Sequence, residues 1–229
     1  MELQKIRGGT KNDLYNGKNN IYVGISLGNK WFTPEKIFGL IEWSLKHTKE
    51  YVGVVPADEI HAINLEVRNR VSRARALQLV KKERKEIIED TKEIVDNNLD
   101  QKAKSKVIFG NWSDVEGQVY NEKVEYLYSE FEQNDDFRET ILSFVRDFVS
   151  NEDRSFSKED IEKLGTYLIE ELPELTCRVP IDGIEYDAWV YPHDSNIMKF
   201  VEKLQNAEAF PQISDTLVDT RPKVFLAVR

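Results

Sequence analysis

Ile21-Tyr22-Val23-Gly24-Ile25-Ser26-Leu27-Gly28-Asn29 is the segment that most strongly indicates how this 229-residue chain folds. The run Ile21–Ile25 is apolar without polar alternation, which is typical of a parallel strand covered on both faces. A glycine-rich turn with a serine follows. Thr33-Pro34-Glu35 then begins a helix, with threonine as N-cap, proline in the first turn and an acid at the positive end. Because ligands bind beyond the carboxyl ends of strands in open α/β sheets, Ser26 is a candidate site residue.

Four further apolar runs predict strands, at residues 51–55, 106–109, Ala188–Tyr191 and Val224–Val228. Helical patterns lie between them: after Thr33, over 58–98, 119–131 and 137–149, from Ser157 to a stop before Pro173, and after Asp194. Strands alternating with helices predict an α/β fold with a mostly parallel sheet flanked by helices. Since there is no internal repeat and no low-complexity linker, we expect a single domain over residues 1–229.

The composition excludes several kinds of protein and site. A hydrophobic fraction of 40% and a charged fraction of 32% fit a globular domain, and the net charge of −9 excludes a generally cationic coat for nucleic acid. The one cysteine, Cys177, excludes an internal disulfide framework and a zinc–thiolate site, and it suits a reducing compartment. No apolar run approaches the roughly 18 residues of a membrane span, and no signal peptide is evident. We therefore expect a cytoplasmic protein without membrane contact.

Three interpretations of Ser26 stay open on the residues alone. The simplest is a glycine-rich turn whose serine bonds nearby backbone. The second is the nucleophile elbow of a hydrolase, since Gly24-x-Ser26-x-Gly28 matches that pattern and His193 is the best-placed histidine. Only 25 residues precede Ser26, however, which is too few for the earlier strands of that fold. The third is the nucleophile of a different α/β enzyme. A phosphate-binding loop is disfavoured because the Walker spacing is not met.

The segment from Glu66 to Lys85 is basic although the whole chain is acidic. It holds eight bases against two acids, and its apolar residues recur at helical spacing. We predict one helix with an apolar stripe toward the core and a cationic face that grips the phosphates of a polyanion; a solvated charged face is the alternative. The predicted stripe is Leu65, Ala76, Leu79, Val80, Ile87 and Ile94. The bases are Arg68, Arg70, Arg73, Arg75, Lys81, Lys82, Arg84 and Lys85.

A tyrosine and a glutamate lie one turn apart in the helix that follows Ser157. Tyr167 and Glu171 are side by side at the edge of its apolar face, whereas Glu170 is predicted to point to solvent. A partly buried carboxylate needs a cation or hydrogen-bond donors, and the ammonium group of a substrate would suit Glu171. A structural pair of Glu171 with an arginine is the alternative.

Together these features resemble a cyclodipeptide synthase. The resemblance rests on Gly24-Ile25-Ser26-Leu27-Gly28-Asn29 after the first strand, Tyr167-x-x-x-Glu171 before a proline, Tyr191 before a short acidic turn, and the basic helix. It implies a fold similar to the Rossmann-like catalytic domain of class I aminoacyl-tRNA synthetases. It also implies two aminoacyl-tRNAs as substrates and a cyclic dipeptide, a 2,5-diketopiperazine, as product. We expect a monomer without metal or organic cofactor.

The resemblance implies a covalent mechanism. Ser26 would attack the ester of the first aminoacyl-tRNA and carry its aminoacyl group. Tyr167 and Glu171 would hold the ammonium of that group. The second aminoacyl-tRNA would then give a dipeptidyl-enzyme, and attack of the free amine on the serine ester would close the ring, with Tyr191 assisting proton transfer. The basic helix would hold the acceptor stem of the first tRNA.

The resemblance also suggests residues of the two substrate pockets. Gly24 would line the first pocket and let a substrate come close. Asn29 would help to shape the second site. Glu174 stands where an apolar pocket residue is common in such enzymes, so it would favour a polar or basic amino acid if it faces the first pocket. Two other functions stay open: a serine hydrolase using Ser26 and His193, and a non-catalytic tRNA-binding module.

Overall fold

The computed structural model describes residues 1–150, 152–218 and 223–229. Six strands form one sheet, and a short antiparallel hairpin of two strands lies apart from it. The sheet consists of β1 (Leu3–Arg7), β2 (Ile21–Ile25), β3 (Val52–Pro56), β4 (Val107–Phe109), β7 (Ala188–Tyr191) and β8 (Val224–Val228). The hairpin consists of β5 (Val179–Ile181) and β6 (Ile184–Tyr186).

The sheet has the spatial order β1-β8-β7-β2-β3-β4, in which only β1 runs antiparallel to its neighbour. The chain proceeds from β2 to β3 and β4 in one direction, and later adds β7 and β8 on the other side of β2. The boundary between β2 and β7 is therefore the topological switch point, where an open α/β sheet forms its ligand crevice. The prediction of a mostly parallel α/β sheet is confirmed. β1 and the hairpin were not among the predicted strands.

Eleven helices connect these strands in the described part of the chain. They are α1 (Lys11–Tyr15), α2 (Pro34–Leu45), α3 (Asp58–Asn69), α4 (Arg73–Asn98), α5 (Gln101–Lys104), α6 (Trp112–Val115), α7 (Gln118–Gln133), α8 (Asp135–Val149), α9 (Lys158–Thr176), α10 (Asn196–Gln205) and α11 (Pro211–Leu217). None of these helices is long and apolar enough to cross a membrane.

Both faces of the sheet are covered, as the uninterrupted apolar strands predict. Successive strand residues point to opposite faces, so Ile21, Val23 and Ile25 enter the core beneath α2 and α4. Tyr22 enters the core on the other face, which α7 to α11 cover. The site described below lies on this second face, at the carboxyl ends of β2 and β7.

The prediction of one helix through the basic segment Glu66–Lys85 is wrong, because α3 ends and α4 begins within it. The chain turns at Arg70, which has a left-handed φ of 54°, and Ser72 then caps α4 by accepting a hydrogen bond from the backbone of Arg75. The core-facing side of α4 also differs from the predicted stripe. Leu79 and Ile94 are only partly buried, and the fully buried residues of α4 are Ala76, Val80, Thr91 and Val95.

The predicted stop before Pro173 is also wrong, since α9 continues to Thr176. A proline removes one backbone hydrogen bond and crowds the preceding turn, but here it lies in the last turn, whose burial against the core outweighs that cost. Two other bonds hold that turn: the Thr176 hydroxyl donates to the carbonyl of Leu172, and the backbone N–H of Cys177 donates to the carbonyl of Pro173. The helix that carries the candidate site thus extends one turn further than its sequence indicates.

The start of α9 is fixed by a capping box. The Ser157 hydroxyl accepts from the backbone of Asp160 at 3.1 Å, and the Asp160 carboxylate accepts from the backbone of Ser157 at 2.9 Å. Arg70 donates two further hydrogen bonds to the same carboxylate, at 2.6 and 2.7 Å. The Arg70 guanidinium and the capping bonds hold the pKa of Asp160 at about 2, so this junction between α3 and α9 is ionised at neutral pH.

We predict that Ser157→Ala lowers the free energy of unfolding by about 1 kcal/mol, because it removes the acceptor of the N-cap bond. Urea denaturation followed by circular dichroism measures the change. Ser155→Ala is the matched control, since Ser155 is an exposed serine of the preceding loop and should change stability by less than about 0.5 kcal/mol. Equal losses in both variants would contradict the role assigned to the cap.

Candidate active site

The residues after β2 form a tight turn. The backbone N–H of Asn29 donates to the carbonyl of Ser26 at 3.2 Å, and Gly28 has a φ of +75°, as the third position of a type II turn requires. The backbone N–H of Gly28 donates to the carboxylate of Glu83 on α4 at 2.8 Å. The turn is therefore braced by α4 and presents Ser26 at the carboxyl end of β2.

Ser26 pairs with a tyrosine from the neighbouring strand. Its Oγ lies 3.0 Å from the phenol oxygen of Tyr191, the last residue of β7. Burial raises the pKa of Tyr191, while its hydrogen bonds with Ser26 and Asn29 lower it. The phenol is thus protonated at neutral pH and can donate a proton or pass one on. Ser26 and Asn29 of the turn thus lie together with Tyr191, which is 165 positions from Ser26 in the sequence.

Tyr167 and Glu171 face the same place from α9. The Tyr167 hydroxyl donates to the Glu171 carboxylate at 3.3 Å. Burial raises the pKa of Glu171 to about 7, although the hydrogen bond from Tyr167 lowers it. Burial also raises the pKa of Tyr167. The negative charge of Glu171 further raises the pKa of Tyr191, so the two side chains lie within electrostatic reach. A carboxylate that is half protonated near neutral pH is one that a substrate cation would stabilise.

Gly24 is needed for a reason that its sequence context does not reveal. A methyl group at this position would overlap the indole nitrogen of Trp189 on β7. Trp189 is 8% exposed, and its indole N–H has no hydrogen-bond partner in the part of the chain that is described. The same indole stacks on Tyr22 with ring centroids 6.5 Å apart. The close approach that Gly24 permits is therefore to Trp189, and its place in a substrate pocket stays a prediction.

Two glutamates of α9 differ from their predicted positions. Glu174 is buried, and its carboxylate lies 3.2 Å from the ammonium of Lys223, which also donates to the Tyr22 hydroxyl at 2.6 Å. The chain itself thus supplies a cation for Glu174, which argues against a substrate-binding role for this residue. Glu170 does not project into solvent. It is half-buried and accepts a hydrogen bond from Tyr128 at 2.8 Å.

A rim of aromatic side chains borders the Ser26–Tyr191 pair. The Asn29 side chain accepts from the backbone of Trp31 at 3.0 Å, which fixes the end of the turn. The His193 ring contacts those of Trp31 and Tyr191, with centroid distances of 6.2 and 5.6 Å. The hydroxyl of Ser26 therefore pairs with a phenol, and His193 packs against that phenol's ring. This arrangement does not support the serine–histidine pair of a hydrolase.

The eight bases of the predicted cationic face divide into two groups. Four are held in ion pairs that brace the fold: Arg68 with Glu152, Arg70 with Asp160, Arg73 with Glu66 and Arg84 with Asp58, at 2.6 to 3.1 Å. The other four are exposed and all lie on α4: Arg75, Lys81, Lys82 and Lys85. Lys82 and Lys85 also have acidic neighbours one turn away, in exposed pairs of the kind that contribute little. The cationic face is therefore smaller than predicted.

Sequence reasoning missed two residues at the site. Trp189 lies two residues before Tyr191, and the period of two along a strand was the signal that puts both on one face. His61 of α3 is buried and lies against Gly28, where an added methyl group would be 3.0 Å from its ring. Burial lowers the pKa of His61 to about 4, so it is neutral. Within the described residues, no group of three or more His, Cys, Asp or Glu side chains is arranged to hold a metal ion.

A family model described as cyclodipeptide synthase matches residues 9–215 of the chain. Among solved structures, a cyclodipeptide synthase from Bacillus thermoamylovorans has 23% sequence identity and a TM-score of 0.72, over 94% of this chain and 90% of that one. No curated protein sequence shows a significant match.

Two other solved structures are similar in fold. A Mycobacterium tuberculosis protein, described as demonstrating that cyclodipeptide synthetases are related to type I tRNA synthetases, has 18% identity and a TM-score of 0.71, over 98% of this chain and 94% of that one. A cyclodipeptide synthase from Candidatus Glomeribacter gigasporarum, bound to Phe-tRNAPhe, has 17% identity and a TM-score of 0.53, over 92% of this chain and 88% of that one. At these identities the likeness establishes the fold.

We predict that Tyr167→Phe raises the pKa of Glu171 above its value of about 7, because the phenol donates a hydrogen bond to the ionised carboxylate. A ¹³C NMR titration of the glutamate carboxyl groups measures it, with Glu171→Gln identifying the resonance. Tyr128→Phe, which removes the corresponding bond to Glu170, is the control and should leave the pKa of Glu171 in place. A fall in that pKa in Tyr167→Phe would overturn the assignment.

Proposed function

Because the chain belongs to the cyclodipeptide synthase family, we propose that it joins the aminoacyl groups of two aminoacyl-tRNAs into a cyclic dipeptide through an acyl-enzyme on Ser26. The observation that carries this mechanism is the hydroxyl pair of Ser26 and Tyr191, 3.0 Å apart beside the Tyr167–Glu171 pair. A nucleophile, a proton donor and a carboxylate for an ammonium group meet there at the switch point of the sheet.

In the first step, Oγ of Ser26 attacks the ester carbonyl carbon of the first aminoacyl-tRNA. A new ester bond to Oγ forms, the bond from that carbon to the terminal ribose oxygen breaks, and the Ser26 proton ends on the leaving ribose oxygen. One ester replaces another, so the step needs less base assistance than amide hydrolysis. A protonated phenol as the partner of Ser26 agrees with this chemistry, since Tyr191 can relay a proton but is not a strong base.

The first aminoacyl group is held through its ammonium. Glu171 supplies the negative charge and Tyr167 orients it through their hydrogen bond. Ion pairing in a poorly solvated place is strong, so the ammonium would draw the pKa of Glu171 down from about 7 and keep the carboxylate ionised. Because the ionised Glu171 carboxylate contacts the ammonium directly, it is also placed to take a proton from it and free the amine.

Two amide bonds then form. The free amine of the Ser26-bound group attacks the ester carbon of the second aminoacyl-tRNA; a C–N bond forms, the C–O bond to that tRNA breaks, and the ribose oxygen leaves with a proton. Next, the amine of the second residue attacks the ester carbon at Ser26. The second C–N bond closes the ring, the bond to Oγ breaks, and Tyr191 is close enough to return a proton to Oγ.

The exposed bases of α4 provide the binding surface for the first tRNA. The side chains concerned, Arg75, Lys81, Lys82 and Lys85, are exposed, and α4 reaches the catalytic turn through the bond between Glu83 and Gly28. Such bases grip phosphates without reading sequence. A relative bound to Phe-tRNAPhe supports tRNA as the partner. We expect the enzyme to act as a monomer, as one catalytic domain over residues 1–229, and in the cytoplasm.

We predict that Ser26→Ala abolishes both the cyclic dipeptide and the covalent intermediate, because the acyl acceptor is lost. Mass spectrometry of medium from a bacterial host that expresses the protein detects the product and identifies both amino acids. Intact-protein mass spectrometry with purified aminoacyl-tRNAs detects the acyl-enzyme. Ser155→Ala is the control and should retain both signals. Product formation by Ser26→Ala at the wild-type rate would refute the covalent mechanism.

We predict that the double variant Lys81→Gln/Lys82→Gln weakens tRNA binding and flattens its salt dependence. The slope of log K against log salt should fall by about one for each phosphate that the protein no longer neutralises. Binding titrations between about 50 and 200 mM salt, the range over which such binding weakens steeply, measure it. Lys11→Gln/Lys158→Gln is the control, since both lysines are exposed on other helices. Arg73 and Arg84 are unsuitable, because their removal would break ion pairs within the fold. An unchanged slope would remove α4 from the tRNA site.

A further inference from the structure

The two flanks of the Ser26 turn differ in chemistry. On the side of β3, Gly28 meets the buried His61 and the carboxylate of Glu83 on α4. On the side of β7, the ring of Trp31 contacts His193 and the ring of Phe32 contacts Tyr191. The cationic face of α4 belongs to the first flank. The second flank is an aromatic surface of which the mechanism above uses only the Tyr191 hydroxyl.

This aromatic rim comprises Trp31, Phe32, Tyr191 and His193. Phe32 is buried and contacts the Tyr191 ring at a centroid distance of 5.4 Å. His193 is exposed, and its ring is nearly perpendicular to both the Trp31 and the Tyr191 rings, at 88° and 85°. Two edge-to-face contacts thus fix the orientation of a ring that solvent still reaches.

A buried arginine of β1 holds the loop that carries His193 in place. Arg7 of β1 is buried and donates two hydrogen bonds to the carboxylate of Asp194, at 3.0 and 2.6 Å. Arg7 also donates to Glu202 on α10. A bidentate pair of this kind has a defined geometry. The rim is therefore preorganised before any ligand arrives, which lowers the entropic cost of binding.

Two cations lie beside the rim. Lys30 immediately precedes Trp31 in the turn and is exposed. Lys36, on the first turns of α2, holds its ammonium 5.2 Å from the centroid of the Trp31 ring. Aromatic rings with adjoining lysines are the combination that binds single-stranded nucleic acid, because bases stack on rings and phosphates pair with ammonium groups.

We propose that the exposed ring of His193, which Trp31 holds in place through an edge-to-face contact, stacks on the terminal adenine of the second aminoacyl-tRNA, and that Lys30 and Lys36 hold its phosphate. This inference rests on the proposed function. Every tRNA ends in an adenosine whose ribose carries the ester, so its base must lie beside the reacting carbonyl. Tyr191 joins the two places, since its hydroxyl meets Ser26 while its ring meets His193. The second tRNA is assigned to this flank because the bases for the first lie on the other.

The test separates the two half-reactions. Excess enzyme is first charged on Ser26 with limiting aminoacyl-tRNA, and the second aminoacyl-tRNA is then added below saturation; intact-protein mass spectrometry follows each step. We expect His193→Ala to slow the second step about tenfold, in line with the removal of one base–aromatic stack, and to leave charging of Ser26 within about twofold. His193→Phe keeps a ring and should restore the second step. A histidine that acts as acid or base would not be rescued in this way.

His47→Ala is the matched control, because His47 also stacks on a tryptophan, Trp43. It precedes β3 and therefore lies at the opposite end of the parallel strands from Ser26. A second arm supplies the second aminoacyl group as an N-acetylcysteamine thioester, which has no adenine, and its reaction should be insensitive to His193→Ala. Equal slowing of both steps, an unchanged second step, or slowing with the thioester would each overturn the inference. Failure of wild-type enzyme to form an acyl-enzyme would instead refute the proposed function itself.

Discussion

The hydrogen bond between Ser26 and Tyr191 joins two residues that are 165 positions apart in the chain. It depends on the parallel pairing of β2 with β7, in which Ile21 is opposite Ala188 and Val23 is opposite Val190. A slip of one residue would turn Tyr191 to the opposite face of the sheet, because side chains alternate along a strand. The register of these two strands is therefore the constraint on which the site depends, and the fit of the Trp189 indole against Gly24 is one contact specific to it.

Helix α9 adds the second condition, which is burial. It packs between α3, α7 and α8 and brings Tyr167 and Glu171 over the ends of β2 and β7. A carboxylate in that place is costly to ionise, which is why burial raises the pKa of Glu171 to about 7. The same burial keeps both tyrosines protonated. The proton chemistry of the site therefore follows from how closely α9 covers the sheet, as much as from the identity of the residues.

Short sequence patterns correctly predicted the features that depend on the periodicity of the backbone. The five apolar runs are strands, and the spacing of Tyr167 and Glu171 on a helix puts them side by side, because both depend on backbone periodicity. Long-range pairings were not predictable in this way. The left-handed Arg70 that divides α3 from α4 is stabilised in part by Asp160, 90 residues away, and the partner of Glu174 is Lys223. Nor does any short motif reveal that Gly24 accommodates the indole of Trp189.

Arg7 links the edge strand β1 to the aromatic rim beside Ser26. β1 is the one antiparallel strand of the sheet and pairs with β8 alone, so it has fewer neighbours than the central strands. Chain termini and elements with few contacts open at lower free energy than the core of a fold. Arg7 binds Asp194, in the segment after β7, and Glu202 on α10. Detachment of β1 would therefore remove both of these ion pairs. Arg7 therefore couples β1 to the aromatic rim around His193, so the packing of a strand that two others separate from β2 helps to hold the rim in place.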